Sequence, residues 1–139
     1  MVSEKMDTFR SNHEILSDEE YKTYVSYFVS IGEIAVPEFS NFLNDSNEDK
    51  RVRLISIRAL DGINSPQALQ ILQDFITHGD ESGDDWLLIG NCKMIFLTRS
   101  ALQYSKKIKE LTRENREIEK RYNLVPILPE GIDKINVTN

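Results

Sequence analysis

With 139 residues, a hydrophobic content of 40% and a charged content of 29%, the chain has the composition of one soluble globular domain, not of a disordered or low-complexity segment. A formal net charge of −6 makes it a poor general binder of nucleic acid, because phosphate neutralisation needs Lys and Arg. A single cysteine, Cys92, excludes an internal disulfide framework, and no stretch approaches the ~20 apolar residues of a membrane span.

The opening residues Met1-Val2-Ser3-Glu4-Lys5-Met6-Asp7 lack the apolar core of a secretory signal, so a cytoplasmic location is expected. Charge is unevenly spread: residues 1–98 hold 17 acids against 8 Lys/Arg, whereas residues 99–121 hold 4 acids against 8. An acidic body of this kind suits a basic partner.

Residues 1–16 are polar and irregular and are expected to form a flexible N-terminal segment. Ser17 followed three residues later by Glu20 is a capping-box pattern and predicts a helix start, with Tyr21, Tyr24, Val25, Phe28 and Ile31 as its apolar stripe. Gly32 suits the end of that helix and Pro37 the first turn of the next. The short polar residues Asn44-Asp45-Ser46-Asn47 predict a turn. From Val52 to Ile63 the apolar residues cover most of the circumference, as in a helix sandwiched between others. Pro66 opens a further helix that repeats the layout of Pro37…Phe42-Leu43 as Pro66…Ile71-Leu72, about 29 residues on.

Gly79 to Asp85 form an acidic break. Trp86 to Leu102 is expected to be a largely buried helix, followed by a separate basic helix that caps the fold. Along that basic segment Tyr104, Ile108, Leu111, Asn115, Ile118 and Tyr122 alternate four- and three-residue steps, a heptad pattern with a polar Asn in its seam. Pro126 and Pro129 predict an extended tail over residues 123–139.

Residues 35–76 resemble the HEAT-repeat family of α-solenoids, in particular its short bacterial form. The resemblance is carried by Val36-Pro37, Asp49 before Val52-Arg53, the small Ser56 and Ala59 with Leu60, then Gly62-Ile63 and Pro66-x-Ala68-Leu69. It implies an all-α fold, a short α-solenoid of antiparallel helix pairs with a C-terminal capping helix, as a single domain over residues 1–139. Beside the acidic loops, Arg53 has the position and the chemistry to tie one repeat to the next by a charge-assisted hydrogen bond. The next unit departs from the pattern, with Trp86-Leu87 in place of Val-Arg and Gly90 at the small position.

Catalytic chemistry finds little support. His13 and His78 stand 65 residues apart with no second ligand at a metal-binding spacing, and Cys92 lies among Ile89, Ile95 and Phe96, as a small buried hydrophobe would. Asp45-x-Asn47-x-Asp49 and Asp80-x-Ser82-x-Asp84 open like calcium loops, but Lys50 and Asp85 stand where glycine is required, and Ser56 and Asn91 where a bidentate Glu belongs. No enzyme activity, no cofactor and no metal site is expected.

Loops along one edge of a stacked-helix array lie side by side, so Glu48, Asp49, Asp80, Glu81, Asp84 and Asp85 are the candidate protein-binding residues. The expected function is a non-enzymatic protein-binding module, monomeric or weakly dimeric, with no nucleic-acid or membrane partner. In size and charge the chain resembles immunity proteins, antitoxins that cap a basic toxin such as a nuclease. The alternative is an adaptor or regulatory scaffold subunit that dimerises through the C-terminal helix.

Overall fold

A computed structural model describes residues 1–12, 14–80 and 82–122. Among them every regular element is helical: α1 (Val2–Ser11), α2 (Asp18–Ile31), a 3-10 turn (Glu33–Ala35), α3 (Val36–Asn44), α4 (Lys50–Ile63), α5 (Pro66–His78) and α6 (Trp86–Tyr122). The chain divides into two compact units, Met1–Lys93 and Met94–Asn139. The tail over residues 123–139 lies outside the described residues.

In the first unit α4 is the hub, packing against α1, α2, α3 and α5. Its breadth of apolar surface explains this. Val52, Ile55, Ile57, Ala59 and Leu60 are all fully buried, which requires neighbours on several sides. Ser56 is buried among them and donates its hydroxyl to Val52 O at 2.8 Å, so no orphaned polar atom remains there. Gly62 brings α2 and α4 close together: a Cβ at this position would overlap the Val29 side chain.

Local chemistry sets the helix ends. Ser17 Oγ accepts from the Glu20 amide at 3.1 Å while Glu20 accepts from the Ser17 amide at 3.5 Å, a complete capping box at the start of α2. Asp49 caps α4 by accepting from the Arg51 amide at 2.8 Å, and Ser65 caps α5 by accepting from the Ala68 amide at 3.1 Å. Asn64, at φ 55°, ends α4 in the left-handed region that Asn tolerates.

Three sequence expectations are corrected. Residues 1–16 are not a flexible segment throughout, because Val2–Ser11 are helical and Val2, Met6 and Phe9 are buried. Phe9 meets the ring of Tyr24 edge-on at 5.2 Å, and that contact with α2 holds the short helix down. Nor do residues 86–122 form two helices. No Gly or Pro interrupts Arg99 to Lys107, so nothing ends the helix there, and α6 runs through 37 residues. Its first half is not largely buried: Trp86 is 63% and Leu97 61% exposed.

Within the second unit, the described residues 94–122 are one uninterrupted stretch of α6. Thr112 and Glu119 are buried, and Thr112 donates its hydroxyl to Ile108 O at 2.8 Å.

Candidate functional site

The first turn of α4 organises the ends of its neighbours. Arg51 donates to the carbonyls of Asn12 at 2.7 Å and Arg10 at 3.1 Å, which end α1, while pairing with Asp49 at 2.9 Å. Two residues on, Arg53 is 3% exposed and donates Nε to Leu43 O, at the end of α3, at 2.8 Å. Its Nη1 donates to Asp85 Oδ1 at 2.9 Å, and its guanidinium lies 5.7 Å from the Phe75 ring centroid. Both arginines therefore satisfy orphaned C-terminal carbonyls, where positive charge also complements the helix dipole.

These contacts decide which acidic residues are available. Glu48 accepts from Arg10 Nε at 2.8 Å, Asp49 is held by Arg51, and Asp85 by Arg53. The hydrogen bond from the Arg51 side chain holds the Asp49 carboxyl below the ordinary Asp range. Asp80 and Asp84 are exposed. Asp80 accepts from the Ser82 hydroxyl at 2.7 Å and the Ser82 amide at 3.0 Å, and these bonds lower its carboxyl pKa, so it is ionised at neutral pH. Glu81 lies outside the described residues.

The two acidic loops border one cavity of 260 Å³. Asn44 and Ser46 line it from the first loop, Gly79 and Asp85 from the second, and Arg53, Asp74, Phe75 and His78 complete the wall. Exposed carboxylates flank it, namely Asp45, Asp74, Asp80 and Asp84, each on a residue that lines the cavity or on a loop that contributes to it. Arg53 is turned inward beneath the cavity, whereas Asp45, Asp74, Asp80 and Asp84 face solvent.

His78 Nδ1 stands 3.0 Å from Asp74 O, its own helix carbonyl, and His13 lies outside the described residues. Cys92 is fully buried, and burial pushes its thiol up to about 12, so it is protonated at neutral pH. Among the described residues no group of three or more His, Cys, Asp or Glu is placed to hold a metal ion, and no helix is long and apolar enough to cross a membrane.

Sequence reasoning did not single out Arg10, Arg51 or the exposed Met94 of α6. Arg51 carried a signal, an arginine two residues after an N-cap aspartate, but its carbonyl partners on α1 depend on a helix the sequence analysis did not predict. Compared with protein-family models, curated proteins and solved structures, the chain matches none.

Proposed function

We propose that the protein is a non-enzymatic protein-binding module that presents the edge formed by its two acidic loops to a basic partner. The carrying observation is that both loops border one cavity, with Arg53 withdrawn beneath and Asp80 and Asp84 facing solvent. Complementary charge at such an edge accelerates association and rejects acidic partners.

The most concrete form of this reading is an immunity protein, an antitoxin that caps a basic toxin such as a nuclease by placing carboxylates where the toxin receives phosphate. We read the architecture that goes with it as a short α-solenoid of HEAT-like pairs, α1 with α2 and α3 with α4, with α5 opening the next. The contacts of α2 with α4 and of α3 with α5 are those that stacking of successive pairs requires. Cytoplasmic action accords with a lone buried thiol.

A pull-down on the immobilised full chain tests this, comparing the wild type with a variant carrying Asp45→Asn, Asp80→Asn and Asp84→Asn. A basic protein that is held by the wild type at low salt, released at high salt and not held by the variant supports the reading. Equal retention by both chains contradicts it. A second role, as adaptor or scaffold subunit, is favoured by the apolar side chains that α6 leaves exposed.

A further inference from the structure

The cavity bordered by the two acidic loops differs from an open acidic surface in what its wall leaves unbonded. Asn44 Nδ2 donates to Ser40 O at 2.9 Å, and Arg53 donates Nε to Leu43 O and Nη1 to Asp85 Oδ1. In the contact of His78 Nδ1 with Asp74 O the carbonyl can only accept, so Nδ1 carries the proton and Nε2 of the neutral ring is an acceptor. Acceptors therefore remain around the wall. Asn44 Oδ1 and the Ser46 hydroxyl belong to the first loop, His78 Nε2 and Asp74 Oδ2 to α5, and Asp85 Oδ2 to the second loop.

Charge selects the same kind of ligand. Arg53 is the permanent cation among the lining residues, and its ion pair with Asp85 at 2.9 Å balances it. Asp74 Oδ1 accepts from the neutral amide of Gln70 at 2.8 Å, so its carboxylate keeps the wall net negative. Asp45, Asp80 and Asp84 flank the cavity and deepen that field. A volume of 260 Å³ is below the ~300–1,000 Å³ of sites for drug-sized ligands and suits a single long side chain.

We propose that this cavity receives one arginine side chain of the basic partner and thereby fixes the partner's register on the acidic edge. The inference rests on the acidic-edge reading for the partner and on the cavity wall for the contact. The acceptors stand on three separate stretches of chain, a spread that the planar fork of N–H donors of a guanidinium meets better than a compact ammonium. Asp85 has one oxygen on Arg53 and its second open to another guanidinium. Phe75 adds an aromatic wall of the kind guanidinium planes lie against, as that of Arg53 does at 5.7 Å from the ring centroid.

NMR titration of the isotope-labelled full chain with blocked tripeptides tests the proposal. The probe with a central arginine is expected to shift, saturably, the amide resonances of Asn44, Ser46, Phe75, His78 and Gly79. A lysine probe is expected to bind several-fold more weakly, and the neutral, near-isosteric citrulline probe not to bind. Asp74→Asn is expected to weaken the arginine probe about tenfold, as loss of a charge-assisted hydrogen bond does. Ser46→Phe, at an exposed position and without change of charge, fills the cavity and is expected to abolish binding with helical circular dichroism unchanged. No saturable shift with the arginine probe, or equal binding of the citrulline probe, overturns the proposal. Equal binding by Ser46→Phe overturns it too and leaves the acidic-edge reading standing, since charge then acts without the cavity. An arginine probe that is lost from Ser46→Phe, beside partner capture that survives neutralising Asp45, Asp80 and Asp84, supports the cavity and contradicts the edge.

Discussion

Arg53 and Asp85 form a 2.9 Å ion pair in which the arginine side chain is 4% and the aspartate 24% exposed. The pair joins the first turn of α4 to the residue just before α6, and through Arg53 Nε it also reaches the carbonyl that ends α3. One buried guanidinium thus fixes both loops that border the cavity.

Removing that guanidinium strands the Leu43 carbonyl and the Asp85 carboxylate together. Arg53→Met is expected to destabilise the chain by about 3 kcal/mol, the low end for breaking a buried pair because Asp85 keeps some water. Asp85→Asn, which retains an acceptor oxygen, is expected to cost about 1 kcal/mol. Urea denaturation midpoints of the two variants measure both, and equal losses would show that the charge, not the hydrogen bonds, dominates.

Leu60 is fully buried on the hub helix α4. Leu60→Ala is expected to cost roughly 2–5 kcal/mol through lost transfer free energy and the cavity left behind. An unchanged denaturation midpoint would place α4 outside the core.

Asp49 has a depressed carboxyl pKa in the folded chain, chiefly from the Arg51 side chain. Its contribution to stability is therefore complete above the unfolded Asp value near ~3.9 and is lost as pH falls through the lower folded value. Asp49→Ala is expected to lose ~0.5–2 kcal/mol at neutral pH, as N-cap removals do. The gap between variant and wild type should narrow as pH falls through the lowered folded pKa, and a gap constant down to acid pH would assign the effect to something other than the carboxylate.

Cys92 is buried with its thiol raised to about 12. Native protein at pH 8 is expected to resist alkylation by iodoacetamide and to react fully in denaturant, as mass spectrometry can follow. Rapid native labelling would mean that α6 opens locally around residue 92.

What the sequence revealed, and what it concealed, divides along the range of the interactions. The capping box of Ser17 and Glu20, the Asp49 cap and the first-turn prolines are legible because their partners lie within a few residues. The breadth of apolar residues on α4 marks it as the most enclosed helix for a similarly local reason. Helix α1 was not legible, since Val2, Met6 and Phe9 are a short stripe whose value appears only when Tyr24 supplies the opposing ring. In the candidate site, the acidic residues can be read from the sequence, but their availability cannot. Glu48 is bound by Arg10, 38 residues away, and Asp85 by Arg53, 32 residues away. For α6 the heptad spacing was visible in part, whereas the exposure of Met94 and Leu97 is a property of packing.

The salt dependence of partner capture tests the central claim most directly. A basic protein bound to the wild-type chain should dissociate progressively as salt rises, and the Asp45→Asn, Asp80→Asn, Asp84→Asn chain should fail to bind it while keeping the wild-type denaturation midpoint. Binding of undiminished strength at high salt, or full binding by the neutralised chain, would contradict the account.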